Sequence, residues 1–129
     1  MVNAYNAKDV TVTVGGVYIT GFAESMVTCE KNEDGFSSSV GAQGDVVVNE
    51  VNDPRGTIKF MLQATSPSSR YLDSLANGKK QVAIWVNNKA LNEKTGGSCA
   101  RIKKPASREY EAEAGDREYE AEVFDYTAQ

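Results

Sequence analysis

The stretch Asn52–Leu75, NDPRGTIKFMLQATSPSSRYLDSL, decides the fold. Pro54 and Gly56 favour a tight turn at its start, because proline presets φ for one turn position and glycine commonly closes the turn. From Thr57 onward the side chains alternate between polar and apolar, which is the two-residue period of a half-buried strand. The apolar positions of this predicted strand are Ile58, Phe60, Leu62 and Ala64.

A short helix is predicted directly after this strand, over about residues 67–77. Ser66 suits the N-cap, and Pro67 suits the first helical position, where its missing N–H costs nothing. Asn77-Gly78 provides the exit. An apolar stripe marks the buried side of this helix: Tyr71, Leu72 and Leu75.

The N-terminal part predicts a β-hairpin. Gly15-Gly16 is a two-residue hairpin signal between alternating strands. Such a loop pairs Val14 with Val17 and Val12 with Ile19, so that both apolar pairs share one face.

Further strands follow from the same alternation. Val46–Val51 and Thr57–Ala64 are predicted as a second antiparallel pair around the turn at Asp53-Pro54. The remaining predicted strands are Met26–Lys31, Gln81–Asn87 and Cys99–Lys103, with a loop over Asn88–Ser98. These elements predict a mainly β domain, a barrel or sandwich of two antiparallel sheets with one short helix.

A long loop is predicted over about residues 31–45. Its centre, NEDGFSSSVGAQG, is rich in glycine, serine and small polar residues, and it cannot bury enough apolar area to be ordered alone. Phe36 and Val40 are isolated in it, which favours a segment that becomes ordered against a neighbouring molecule.

The C-terminal part contains an internal repeat. Arg108-Glu109-Tyr110-Glu111-Ala112-Glu113 recurs nine residues later as Arg117-Glu118-Tyr119-Glu120-Ala121-Glu122. Glutamate and alanine favour helix, but Gly115 interrupts and the apolar positions alternate by two, so strand is preferred. A tight hairpin at Gly115-Asp116 would place glutamates opposite each other, so the two copies are not expected to pair.

Length and composition indicate one domain spanning residues 1–129. No apolar run approaches the roughly 20 residues that cross a bilayer, and the N-terminus does not resemble a secretion signal. We therefore expect no stable membrane association. Cys29 and Cys99 are read as free thiols in a reducing cytoplasm, with a bridge as the alternative.

Charge is segregated along the chain. Residues 79–104 carry seven basic and one acidic side chain, whereas residues 105–129 carry two basic and eight acidic ones, within an overall net charge of −4. Such blocks can be complementary between copies of one molecule, or they can simply solvate different faces. An acidic chain without a basic aromatic groove argues against tight nucleic-acid binding.

The residues for catalysis are largely missing. The chain has no histidine, which removes the commonest general base and metal ligand. The glutamate rows are typical of one solvated strand face and not of a buried acid–base pair. Gly15-Gly16 and Gly96-Gly97 read as turns and match no phosphate loop. We expect no enzyme, no cofactor and no strong metal site.

The sequence resembles the tail-tube proteins of contractile-tailed bacteriophages and of phage-tail-like bacteriocins. The resemblance spans most of the chain in the family's order. It is carried by Val40-Gly41-Ala42-Gln43-Gly44-Asp45-Val46, Asn52-Asp53, Gly56-Thr57-Ile58, Leu62, Thr65-Ser66-Pro67-Ser68, Leu72 to Leu75, and Arg117-Glu118-Tyr119 to Phe124-Asp125-Tyr126.

This resemblance implies a structural protein that forms stacked hexameric rings, the inner tube of a contractile tail. The implied partners are other copies, the sheath protein, a baseplate initiator and the tape-measure protein, with DNA only in transit through the lumen. Assembly would occur in the host cytoplasm, and the product would be part of the particle.

The resemblance also implies positions for the contacts. The helix would pack on the outer side of the barrel. The residues expected in the ring-stacking loop are Asn32, Asp34, Phe36, Val40 and Asp45. The strand residues expected to form contacts within a ring are Val10, Val12, Val14, Val17 and Ile19. An acidic strand that faces the lumen or the sheath is expected to carry Glu109, Glu111, Glu118, Glu120 and Glu122.

Two other functions stay open. One is a tail protein with the same fold that forms a ring without polymerising, either a terminator or a ring near the baseplate. The other is a small β-sandwich that binds a carbohydrate or surface ligand, with Trp85, Tyr110 or Tyr119 as stacking groups.

Overall fold

The computed structural model describes residues 4–129 as a mainly β protein with two antiparallel sheets and one α-helix. This confirms the predicted fold class. A short 3₁₀ turn, Ala7–Asp9, precedes the first strand. The elements in chain order are β1 Val10–Val14, β2 Val17–Tyr18, β3 Phe22–Lys31, β4 Phe36–Val40, β5 Val46–Glu50, β6 Gly56–Gln63, α1 Ser68–Asn77, β7 Val82–Asn88, β8 Glu93–Ile102, β9 Asp116–Val123 and β10 Thr127–Ala128.

The large sheet has the strand order β2-β1-β7-β8-β9-β6-β3, and β10 adds to β8. Its two ends are joined by the short link 19–21. The N–H of Ile19 donates to the carbonyl of Val12 at 2.9 Å, and the N–H of Gln63 donates to the carbonyl of Gly21 at 2.8 Å. Because three residues span at most about 10 Å, the sheet curls until its ends lie close together.

The core is enclosed by this curled sheet and α1. Antiparallel pairing sets Phe60 of β6 directly opposite Tyr119 of β9, and Ile58 opposite Ala121, so these side chains share the inner face. The largest fully buried side chains are Tyr119, Phe60, Ile58, Leu62, Leu72, Ile84, Val12, Val14 and Val123.

The predicted position of the helix is confirmed, since α1 spans Ser68–Asn77. Leu72 and Leu75 are buried against the sheet, and the hydroxyl of Tyr71 donates to the carbonyl of Val14 at 3.0 Å. The N-cap is Pro67 instead of Ser66. Ser66 still holds this end, because its hydroxyl accepts the N–H of Ser68 and donates to the carbonyl of Thr20.

The predicted N-terminal hairpin is confirmed, with Val14 opposite Val17. The predicted pairing of Val46–Val51 with the strand after Asp53-Pro54 is wrong. β5 pairs with β4 in a separate two-stranded sheet, whereas β6 pairs with β3 and β9.

A third of the predicted loop 31–45 is therefore strand, namely β4. Glycine and serine made the segment look irregular, but a tight turn closes it: the N–H of Gly41 donates to the carbonyl of Asp45 at 2.8 Å, and Gly44 takes a φ of 91°. Backbone pairing with β5 across the turn thus forms β4, although no core lies beneath it.

The prediction of a loop over Asn88–Ser98 is also partly wrong, because β8 already begins at Glu93 and pairs with β7. In the repeat, only the second copy forms a strand, β9; the first copy, 108–113, belongs to the connection between β8 and β9. The prediction that the two copies do not pair is confirmed, since β9 lies between β6 and β8.

The carboxylate of Asp125 fastens the link between β9 and β10 onto β8. It accepts the N–H of Ser98 at 3.1 Å, the N–H of Cys99 at 3.0 Å and the hydroxyl of Ser98. These donors, the Ser98 hydroxyl foremost, hold the pKa of Asp125 below its ordinary value. The ionised carboxylate is therefore the form that stabilises this link.

We predict that Asp125→Asn lowers stability at pH 7 and flattens the acid dependence of unfolding. A carboxyl with a depressed folded pKa stabilises above the unfolded pKa, and that contribution is lost as the pH falls. The difference between wild type and variant should thus shrink below about pH 4, the ordinary range of an aspartate. Chemical denaturation between pH 7 and pH 3 measures it, and a constant difference would contradict the assignment. Asp116→Asn, an exposed aspartate on β9, is the control.

Candidate functional site

A two-stranded arm made by β4 and β5 extends from one end of the large sheet. We call residues 36–50 the hairpin arm. Every residue from 31 to 52 is exposed, so the protomer itself buries neither side of the arm. A lone two-stranded hairpin is at best marginally stable in water, so the arm contributes little stability by itself.

The two faces of the hairpin arm differ in polarity. Directly opposed residues lie on the same face, and the register sets Phe36 opposite Glu50 and Val40 opposite Val46. The other face carries Ser37, Ser39, Asn49 and Val47. Four apolar side chains on the first face are 55% to 69% exposed: Phe36, Val40, Val46 and Val48.

Polar contacts at its base hold the arm. The hydroxyl of Thr57 donates to Oδ1 of Asn32 at 2.6 Å. The guanidinium of Arg55 donates to both carboxylate oxygens of Asp53, at 2.9 and 2.8 Å. Hydrogen bonds from Arg55 lower the pKa of Asp53 to about 2. This bidentate pair shapes the return of the chain from the arm into β6.

An apolar groove of about 330 Å³ opens where β1 and β2 face β3. Val10, Phe22 and Met26 line it and are partly buried. β1 pairs with β2 only at Thr13 and Val14, which leaves the backbone of its first residues at a free sheet edge. The protomer thus carries both an unburied apolar face and an apolar groove.

The predicted contact residues within a ring divide into two groups. Val12, Val14 and Ile19 are buried in the core of the protomer, whereas Val10 is half-buried and Val17 is exposed. Of the predicted stacking residues, Phe36 and Val40 lie on the apolar face of the hairpin arm; Asn32 and Asp34 precede the arm, and Asp45 is in its turn.

The predicted acidic residues are also divided. Glu118, Glu120 and Glu122 lie on the outer face of β9, whereas Glu109 and Glu111 are in the connection before it. Two of these glutamates form ion pairs within the protomer: Lys103 contacts Glu120 at 3.3 Å, and Arg55 contacts Glu122 at 3.4 Å. Arg101 is opposite Glu122 in the sheet.

Two residues of the apolar face, Val46 and Val48, were not among the predicted contacts. The register sets Val46 opposite Val40, but Val48 is opposite Ser38, so the sequence holds one apolar pair across the turn GAQGD as a signal for this face. The predicted pairing of Val46–Val51 with the strand after Asp53-Pro54 gives these two residues a different partner.

Among residues 4–129, no three His, Cys, Asp or Glu side chains are grouped to hold a metal ion. Within the same range no helix has the length and apolarity to span a membrane. Burial raises the pKa of the Cys29 thiol to about 11, which leaves it a poor nucleophile.

No protein-family model and no curated protein matches this sequence. The solved structures that share its fold include three that are each 12% identical to it. The sheath/tube terminator of an extracellular contractile injection system (PVC), in the extended state, superposes with a TM-score of 0.74 over 98% of this chain and 97% of that chain.

The second is the tube-terminating cap of the anti-feeding prophage, which has a TM-score of 0.67 over 100% of this chain and 93% of that chain. The third is a chain of the PVC sheath–tube complex in the extended state, which has a TM-score of 0.66 over 98% of this chain and 91% of that chain. The chain therefore has the fold of tube-related proteins of contractile injection systems, in line with the resemblance noted in its sequence.

Proposed function

We propose that this protein is a structural subunit of a contractile injection particle and forms the ring that terminates its tube. The fold likeness to a sheath/tube terminator and to a tube-terminating cap carries this proposal, since both align over nearly the whole of each chain. It corresponds to the non-polymerising ring left open by the sequence.

The surfaces of the protomer support a role in assembly. The hairpin arm leaves four apolar side chains unburied, and exposed apolar patches of this kind mark protein interfaces. In a ring of identical copies, a surface on one protomer meets a different surface on the next, which an arm and a groove on the same chain allow. No catalytic group is needed for this role.

The inner tube itself is the second candidate. It is favoured by the likeness to a chain of a sheath–tube complex and by the sequence resemblance to tail-tube proteins. The two roles differ in one property: a tube subunit stacks on both sides of its ring, whereas a terminator stacks on one.

Negative-stain microscopy and sedimentation velocity of the purified protein at increasing concentration separate the two roles. We expect closed rings of fixed height. Hollow tubes that lengthen with concentration would favour the inner-tube role. Failure to form rings at any concentration, even with tube ends from the same particle present, would contradict both.

The hairpin arm should mediate attachment to the tube. We predict that Phe36→Asp abolishes occupancy of tube ends, because a buried charge replaces an apolar anchor. Its thermal unfolding should match wild type, since Phe36 is exposed in the protomer. Ser37→Asp is the matched control: it adds the same charge on the polar face of the same strand. Equal end occupancy by both variants would show that the apolar face is not the contact.

A further inference from the structure

A polar cleft of about 410 Å³ lies between α1 and the start of β9. Arg70 comes from the first turns of α1, Arg108 from the connection before β9, and Arg117 from β9 itself. Arg117 is opposite Leu62 in the sheet register, so it shares the inner face and is directed to the helix side. Three guanidinium groups therefore converge on one cleft of an acidic protein.

Among the described residues 4–129, one of these arginines, Arg108, forms an ion pair. The Nη2 of Arg108 donates to Oδ2 of Asp73 at 3.1 Å, which raises the pKa of Arg108. The hydroxyl of Tyr119 donates to the other oxygen of Asp73 at 2.9 Å. Among residues 4–129, neither Arg70 nor Arg117 forms an ion pair. Two cationic groups are thus left for an external anion.

A buried hydroxyl in the wall of the cleft points to the same chemistry. Ser69, on the first turn of α1, is 3% exposed, and its Oγ has no hydrogen-bond partner within the described range 4–129. A buried donor without a partner costs free energy, and a group with acceptor oxygens that enters beside it removes that cost. The cleft therefore offers a hydroxyl donor in addition to the guanidinium groups of Arg70 and Arg117.

We propose that this cleft binds a glutamate carboxylate from the segment Glu109–Glu113 of a second copy of the chain. The guanidinium group of an arginine recognises a carboxylate through a planar, bidentate fork. Asp73 already occupies the cleft floor, which disfavours a dianionic group such as phosphate relative to a single carboxylate.

The acidic segment of the same chain fits this partner role. Glu109, Glu111 and Glu113 are exposed, and none of the ion pairs among residues 4–129 involves them. The segment belongs to no helix or strand, so it can enter a cleft, unlike the glutamates held in β9. Within the protomer, Glu109 lines a different cleft, with Glu118 and Glu120 of the outer face of β9.

This contact rests on the proposed function, because it needs copies of the chain to meet in an assembly. The contact would be heterologous, since it joins different surfaces of two copies, as the closure of a ring requires. It can be measured without assembly. The probe is the capped peptide EYEAEAG, residues 109–115, titrated by calorimetry into the full chain at a concentration where sedimentation shows monomers. Failure of this binding therefore leaves ring formation as a separate result.

We expect saturable binding that weakens by about tenfold in Arg70→Gln/Arg117→Gln and at high salt. Lys79→Gln/Lys80→Gln, which removes the same two charges just beyond the other end of α1, should bind like wild type. The peptide with glutamine at each glutamate should not bind. If the double variant unfolds, Arg70→Gln alone is used, because Arg70 is exposed.

Three results would overturn the proposal: no binding by wild type, equal binding by the arginine variant, or binding of inorganic phosphate with none of the peptide. The last result would identify a site for free anions.

Discussion

Replacing Phe60 with alanine is expected to lower the free energy of unfolding by about 3–5 kcal/mol, the range for phenylalanine truncation in a packed core. Phe60 is fully buried on β6, the strand that lies between β3 and β9, and it faces Tyr119 across the sheet. The cavity would open in the core beside Tyr119. Urea denaturation followed by circular dichroism measures the change.

Met61→Ala is the matched control, because Met61 is the next residue on the same strand but lies on the outer face and is half-buried. It should cost less than about 1 kcal/mol. Equal losses for the two variants would mean that the inner face of β6 is not the centre of the core.

The pattern on β6 explains why this part of the fold was predictable. The alternation in β6, the turn before it and the helix after it all depend on residues that are close in sequence. The alternation also predicts which side chains of the strand are buried, because every second one lies on the same face. Ile58, Phe60 and Leu62 were accordingly placed correctly. The N-terminal hairpin was predictable for the same reason, since a two-residue loop fixes its own register.

The partner of β5 was not predictable in this way. β5 has two possible neighbours in sequence, β4 and β6, and local signals favour a turn at Asp53-Pro54 over one in GAQGD. The choice depends on β6 being already paired on both sides, by β3 and β9, which come from distant parts of the chain. Long-range pairing of this kind leaves no local signal.

The candidate site was predictable in part for a related reason. Phe36 and Val40 are conspicuous as apolar residues in a polar segment that cannot form a core of its own, so their exposure could be inferred. The arginine cleft could not, because Arg70, Arg108 and Arg117 are brought together only when α1 packs beside β9. Sequence spacing alone gives no reason to group them.

Gly96→Ala is expected to be among the most damaging single-methyl additions, although Gly96-Gly97 reads as a turn in the sequence. The pair lies inside β8, where Gly96 has a φ of 140° and is opposite Trp85 of β7. A Cβ at Gly96 would overlap the carbonyl oxygen of Ile84, which is backbone and cannot move aside alone.

Strained backbone and steric overlap together should therefore cost between about 2 and 6 kcal/mol. The strand pair β7–β8 would have to separate locally, and β10, which pairs with β8 at Gly96, would be released with it. Hydrogen exchange should show lost protection at Trp85 and Thr127, together with a lower melting temperature. Gly115→Ala adds the same methyl group where no atom lies within 4 Å, and it should melt like wild type. Unchanged melting of Gly96→Ala would mean that β7 and β8 do not approach each other as closely as this register requires.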